Sequence, residues 1–539
     1  MIIRPLMTCL LVLAALLVSG GCTRRETPAD AGIRTQTLLI GNLAEPRDLD
    51  PHVVTAATDM NILIGLFEGL TVLDEKTSQA LPGVASSWDP SADGLVWTFH
   101  LRHDARWSNG DPVTSLDFAY AFRRILSPAM AAEYSYMLWP IKNAEAYNAG
   151  KITDFSSVGI ATPDDFTLQV TLERPTPYLP ALAGHTTWLP VHRGTIEKHG
   201  RMDQPGTSWT RPGNLVGNGP FQLSEWTPNA RIILDKNPRY WDAATTRLQH
   251  IIFFPIENPD VEERNFRAGQ LHVTFDLPSS KIPVYQRESP RQLRLDALLN
   301  IWYLNFNTTK PPLDNPLVRQ ALALAVDREA ISRSVYNGAF RAAQSFVPPD
   351  CGGYVSTTHT RTDVAEARRL LAEAGYPEGR GLPVLSVQAL NNDKLPKVAE
   401  ALQGMWKKEL GVNVTIEPSE QKIWIQTQTA MNHTIGLMGW VADFADPVTF
   451  LQLRETGNGN NWSGWSNPAY DRLLQTAANT ADAQARFALF QQAETLLLNE
   501  AAASPLVYGA RTYLINPAVK NWDSAPLGLH QYKKVYLEP

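Results

Sequence analysis

The sequence predicts an α/β protein built as two or three lobes. Three observations lead there. The chain has 539 residues, more than one hydrophobic core can serve, so it should divide. Runs with apolar residues at alternate positions are interleaved with runs of helical spacing. Finally, Leu395 to Leu410, Gly411 and Val412 to Ile416 follow one another as helix, glycine and strand, an α/β unit with a short connection.

Composition narrows the class. Apolar residues make up 44% and charged residues 19% of the chain, as in ordinary globular proteins. A formal net charge of −6 gives no reason to expect a nucleic-acid partner. The 39 Pro imply many ordered loops, and the 15 Trp serve either as core or as flat surfaces over a ligand.

The N-terminus begins Met1-Ile2-Ile3-Arg4 and continues into an apolar run from Leu6 to Val18. That run is shorter than the roughly 20 residues a membrane span needs, and it fits the apolar region of an export signal. It ends in Val18-Ser19-Gly20-Gly21-Cys22. Small residues before a Cys resemble a lipoprotein signal, with Ser19 where Leu is usual. Residues 1–21 are therefore expected to be a signal peptide, Cys22 the lipidated first residue, and 22–34 a flexible tether. After Cys22 only Cys351 remains, so an acylated Cys22 leaves no disulfide within the chain, despite an oxidising compartment.

From Thr37 the elements follow in order. Thr37–Gly41 reads as a buried strand, and Asp59–Leu70 as a helix with Met60, Leu63, Ile64 and Phe67 on one face. Trp97–Arg102 alternates, with Trp97, Phe99 and Leu101 inward. Thr114 should cap a helix over Leu116–Ile125, and Asp165–Leu172 is another alternating strand. Gly217–Leu223 leads into Ile232–Leu234, Ile251–Pro255 looks like a buried strand, and Val261–Gly269 a helix with a closing glycine. Asn300–Asn307 opens a third lobe. Its helices are expected at Val318–Val326, Glu329–Tyr336, Asp363–Ala374, Leu395–Leu410, Asp471–Asn479 and Ala481–Leu498. Strands are expected at Val412–Ile416, Pro505–Tyr508 and Tyr513–Ile515.

Catalytic signatures are missing. There is no G-x-x-x-x-G-K-[ST] loop, G-x-S-x-G elbow or H-E-x-x-H pair. The 11 His show no metal-ligand spacing, and no cofactor is expected. Two carboxylates do stand out. Asp443 and Asp446 are set in the largely apolar stretch Gly436 to Leu451, and a buried acid costs several kcal/mol unless a positive group meets it. Asp446 precedes Pro447, which suits a turn or an internal Arg partner. For Asp443 the residues alone leave two readings open, a turn cap or internal Arg partner and a positive group from outside the chain.

Ten stretches in order carry a family resemblance: D-L-D-P-H, G-L-F-E-G-L, P-G-V-A-S-S-W, W-T-F-H-L-R-H-D-A-R-W-S-N-G-D-P-V-T, G-N-G-P-F, N-P-R-Y-W-D, A-L-A-L-A-V-D-R, A-R-R-L-L-A-E-A-G-Y, W-K-K-E-L-G-V-N-V and G-W-V-A-D-F-A-D-P. Together they resemble the extracytoplasmic solute-binding proteins of peptide ABC importers (family 5), the oligopeptide-binding type. The resemblance implies a two-lobed periplasmic binding protein, class II-like (cluster C), with an extra domain and a hinge. Projected here, domain I is 35–67, 192–299 and 510–539, domain II is 68–191, and domain III is 300–509.

It also implies a function. The expected protein is a monomer in the periplasm or envelope, anchored to the membrane through Cys22. It catalyses nothing and delivers an oligopeptide to an inner-membrane ABC permease and its ATPase subunits. Asp443, in the W-x-A-D-[YF] motif, is implied to take the α-ammonium of the peptide, with Trp440 beside it and Phe444 in place of Tyr. Val441 would offer main-chain groups, as in strand addition. Tyr303 matches a pocket aromatic, and Asn305 stands where some relatives have an acid. Thr55 and Ala57 are placed where the first lobe meets ligand, and Tyr136 and Trp462 as lining. Two departures put anchoring of the peptide C-terminus in question: Leu437 replaces a basic residue, and a family His is replaced around Leu395. A murein peptide, metal chelate, oligosaccharide or opine would suit the same fold. An envelope peptidase or chaperone is the alternative of another class.

Overall fold

A computed structural model of the chain describes residues 26–539, so the signal peptide and Cys22 lie outside the described residues. The first departure from expectation comes at once. Pro28–Thr35, placed in the tether, is a helix. Thr27 caps it, with Asp30 completing a reciprocal capping box and Pro28 at the first turn. The helix is seated: the Ala29 amide donates to the Gly269 carbonyl at 2.9 Å, and His272 Nε2 lies 3.0 Å from the Ala29 carbonyl.

Two sheets share the first body. One has the strand order Thr37–Gly41, His250–Phe254, Arg231–Lys236, Phe221–Thr227. Its first pair is parallel and the rest are antiparallel. The other is an antiparallel sheet of Ala85–Pro90, Val96–Leu101, Thr167–Thr171 and Ile160–Asp164. Alternation along Val96–Leu101 buries Trp97, Phe99 and Leu101 as expected. Against this sheet lies the helix Ser115–Leu126, capped by Thr114 and Asp117. Leu38, Ile40, Ile232 and Phe253 from one sheet and Phe99, Leu168 and Val170 from the other belong to a single apolar core.

The second body is built on a six-stranded mixed sheet: Arg341–Ala342, Ser504–Leu514, Leu293–Phe306, Ile435–Val441, Leu385–Leu390 and Val414–Ser419. Leu385–Leu390 and Val414–Ser419 run parallel and are joined by the helix Leu395–Leu410. Gly411 ends that helix at φ +70°, a left-handed conformation that glycine adopts without a Cβ penalty. Alternation along Ile435–Val441 sends Leu437 to one apolar core and Met438 to another.

The strands expected at 505–508 and 513–515 are one strand, Ser504–Leu514. It pairs with Leu293–Phe306, and this pair belongs to both bodies. Val507 and Leu506 sit in a core of the second, whereas Tyr513 and Ile515 sit in the core of the first. The register shifts between Ala297 and Ile301, midway along the shared ladder. Bulges of this kind bend a strand and raise its twist. Among the described residues, no helix is long and apolar enough to cross a membrane.

Candidate functional site

Strand Ile435–Val441 delivers the candidate carboxylate. It pairs antiparallel with Leu293–Phe306 in the register Asn300 with Val441, Ile301 with Trp440, and Tyr303 with Met438. Gly439 makes room for this pairing: a Cβ there would stand 3.0 Å from the Trp302 ring. The Asn300 side-chain amide holds the Trp440 carbonyl at 2.9 Å, and the Ala442 amide donates to the Leu299 carbonyl at 2.8 Å. One residue later the chain leaves the sheet and Asp443 projects from its end.

The two acids then part ways. Asp446 is clasped from inside: Arg486 Nη1 and Nη2 reach its oxygens at 2.6 and 2.7 Å, and both side chains are buried. Its Oδ1 also accepts from the Val448 amide at 3.0 Å. A two-pronged guanidinium–carboxylate contact of this kind fixes geometry as well as charge. Asp443 has no such partner. Among the described residues no Lys, Arg or His closes on it, and the Tyr136 hydroxyl is its hydrogen-bond donor. Burial pushes its carboxyl up to about 6 from 3.8, and the Tyr136 hydroxyl opposes that rise. The charge is felt in turn by its neighbours: burial, and then the Asp443 charge, raise the Tyr136 and Tyr134 hydroxyls.

Asp443 opens into a cavity of about 660 Å³, within the range typical of ligand sites. Tyr136, Trp139, Tyr178, Trp440 and Phe444 supply rings to its walls, and Glu145, Glu173, Arg174 and Gln452 supply polar groups. Tyr178 comes from the first body and Phe444 from the second. Their rings are stacked 4.8 Å apart at an interplanar angle of 6°, a contact worth about 0.5–1.5 kcal/mol beyond area burial. The Arg486 guanidinium lies 5.2 Å from the Tyr178 ring, so the Asp446 clasp also steadies this seam. The cavity therefore has one wall from each body.

Of the residues singled out from sequence, Asp443, Trp440, Phe444 and Tyr136 meet at this cavity. The others lie elsewhere. Tyr303 and Asn305 are buried in the second body and are not among the residues lining the cavity. Tyr303 is buried against Phe346. Asn305 is engaged in a closed network: its Oδ1 accepts from Arg454 at 2.8 Å, and its Nδ2 faces Gln428, His433 and the Trp462 carbonyl. Val441 is half-exposed, with its backbone in the sheet. Trp462 packs on the second body and donates to the Gly459 carbonyl at 2.8 Å; the neighbouring Asn458–Asn460 line the cavity in its place. Thr55 accepts from Arg47 at 3.2 Å, and Ala57 opens the helix Ala57–Leu66. Neither lines the cavity. Leu437 and Leu395 are buried in the second body's core.

Tyr178, Trp139, Arg174 and the two Glu were not foreseen. They arrive from loops around Thr167–Thr171 and Ser135–Leu138, more than 250 residues before Asp443 in the chain, and no local periodicity marks them. Among the described residues, no group of three or more His, Cys, Asp or Glu is arranged to hold a metal ion.

Comparison with known proteins gives a consistent picture. Residues 79–462 match the model of bacterial extracellular solute-binding proteins, family 5 Middle. The periplasmic oligopeptide-binding protein OppA of Salmonella typhimurium is 33% identical, over 98% of this chain and 97% of that protein. The probable deoxycholate-binding periplasmic protein YgiS of Escherichia coli is 34% identical over 95% of each. Among solved structures, the unliganded open form of MppA, a periplasmic murein tripeptide binding protein, superposes with a TM-score of 0.83 at 31% identity, covering 93% of this chain and 97% of that one. The two bodies and the cleft between them are thus the two lobes of a periplasmic binding protein, and the chain belongs to the bacterial extracellular solute-binding proteins of family 5.

Proposed function

We propose that this chain binds oligopeptides between its lobes and presents them to an ABC import permease with its ATPase subunits, catalysing nothing itself. One observation carries the reading: Asp443 is a partly buried carboxylate without a cationic partner among the described residues, in a cavity walled by both lobes. A peptide brings one cation whatever its sequence, its α-ammonium. Docked at Asp443, that group would neutralise the charge. Main-chain groups near Val441 would hydrogen-bond the backbone, and the rings of Tyr136, Trp139 and Trp440 would cover side chains without reading them closely. A ligand touching both walls favours the closed arrangement over the open one, a hinge motion. The shared strands Leu293–Phe306 and Ser504–Leu514, with their register shift, are the natural place for it.

The domain boundaries given from sequence, 35–67, 192–299 and 510–539 for domain I, 68–191 for domain II and 300–509 for domain III, remain our assignment. We extend domain I to include the helix Pro28–Thr35. Export followed by acylation of Cys22 would leave a monomer on the envelope with only a few residues between lipid and that helix. Cys22→Ser should then move the protein from the membrane fraction to the soluble one; an unchanged distribution would contradict acylation.

A non-peptide ligand in the same cleft has one observation in its favour, the similarity to a relative named for deoxycholate. Deoxycholate carries no ammonium, however, so it would leave the Asp443 charge in this cavity unmet. Native mass spectrometry of the protein as purified, with release and sequencing of whatever it carries, tests the assignment. Peptides with free amino ends support it; a ligand with no amine sinks it. Incubating those peptides with the protein should leave them uncut, and cleavage would point to a peptidase.

A further inference from the structure

Asp443 and a charge of the opposite sign both stand open in the same cavity. That charge is Arg174, in Glu173-Arg174-Pro175 just beyond the strand Thr167–Thr171 of the first lobe. Among the residues lining the cavity it is the sole cation. Its side chain enters none of the ion pairs or hydrogen bonds of the described residues, although its field reaches Glu455 of the second lobe and the Tyr178 ring. A guanidinium offers five donors in a planar fork suited to a carboxylate. Asp443 stands on the second lobe and Arg174 on the first, so the two charges face a ligand from opposite walls.

Among the residues lining the cavity, the second lobe supplies no cation. Positions 437 and 395, where the resemblance implies a base, are Leu side chains sealed in the apolar core. Glu145 and Glu173 also line the cavity. One Glu173 oxygen already accepts from the Asn143 amide at 2.6 Å, whereas Glu145 extends exposed from the short helix Ala144–Asn148. A ligand carboxylate that missed the guanidinium would meet these two like charges. They therefore confine where the carboxylate can sit and penalise ligands of the wrong length.

We infer that Arg174 is the carboxylate-binding residue of the cleft, and that its ligands are short zwitterionic peptides with the ammonium at Asp443 and the free C-terminal carboxylate at Arg174. This rests on the peptide reading of the same site and adds to it the second anchor and the need for an unblocked C-terminus. Because the anchors lie on different lobes, a doubly held peptide stabilises the closed form more than the open one, which couples binding to closure.

The test is calorimetric titration of an alanine tripeptide and its C-terminal amide against the native protein, Arg174→Gln and Arg174→Lys, each checked for an unchanged melt. Arg174 is exposed, so folding should survive. The amide should bind the native protein about tenfold or more weaker than the free acid, as expected for a lost charged hydrogen bond. Arg174→Gln should weaken the free acid by a similar factor and leave the amide unaffected, and Arg174→Lys should recover part of the loss. Equal affinity for acid and amide, or equal weakening of both by Arg174→Gln, would overturn the inference. If the N-acetyl tripeptide binds weakly while the amide binds as well as the acid, Arg174 fails and the Asp443 reading stands. If no unmodified peptide binds, both fall.

Discussion

Asp443→Asn changes one charge and almost no volume, and its consequences differ sharply with and without ligand. Burial lifts the carboxyl from 3.8 to about 6, so the folded, unliganded protein holds the Asp443 proton more tightly than the unfolded chain does. The stability this gives is fully present below about pH 4 and is lost as pH rises through about 6. At neutral pH the ionised group therefore costs up to about 3 kcal/mol, from roughly two pH units at 1.36 kcal/mol each. Because Asp443 is partly exposed, solvent reduces this to about 1–3 kcal/mol. Asp443→Asn should make the unliganded protein as stable as the native one or more so at pH 7.5, with the difference closing towards pH 4. Ligand binding should move the other way. Losing one partner of a desolvated pair costs about 3–5 kcal/mol, or two to four decades in Kd. The pH profile adds a sharper check. Native affinity should be highest near pH 7, falling about tenfold per unit below about 6 as Asp443 takes a proton and above about 8 as the peptide ammonium loses one. Asp443→Asn should abolish the acid arm. Denaturant melts and calorimetric titrations between pH 4 and 9 supply both readouts. Native affinity that stays flat down to pH 4, or an Asp443→Asn variant that binds as well as the native protein, would refute the reasoning.

Two further outcomes follow from the same geometry. Tyr136→Phe removes the hydroxyl that stabilises the charged carboxylate, so the acid midpoint of binding should rise by about 0.5–1 pH unit; an unchanged or lower midpoint would show that the hydroxyl does not act on Asp443. Arg486→Leu strands Asp446 as a buried lone charge and should lower unfolding stability by about 3–5 kcal/mol in chemical denaturation. Adding Asp446→Leu should restore part of that loss, and strictly additive losses would contradict the pairing.

The segment Trp440 to Phe444 stands out in the sequence as two rings and an acid in an apolar stretch, the family motif W-x-A-D-[YF] implies the role of Asp443, and the structure brings Trp440, Asp443 and Phe444 to one cavity. The contrast with Asp446 was also legible, since Pro447 marks a turn and the acid does meet an internal Arg. Tyr303 and Asn305, expected at the pocket from the resemblance alone, are not among the residues lining this cavity. They lie two apart, on one face of a strand buried on both faces, so alternation pairs them but cannot say which face meets the cleft. That face meets Arg454, which lies over the Tyr303 ring at 5.0 Å and bonds Asn305. The helix Pro28–Thr35 stands where the polar composition predicts a tether, although Thr27 and Asp30 spell a capping box; its seating on Gly269 and His272 lies far along the chain. Arg174 and Tyr178 carry no local signal. Only the folding of one lobe against the other brings them opposite Asp443.

The central claim is that the cleft's open negative charge is met by the ligand's own amino end. Titration of one tripeptide beside its N-acetylated twin, with both C-termini free, tests this most directly. The account predicts that acetylation weakens binding by about a hundredfold or more. Equal affinity for the two peptides would contradict it.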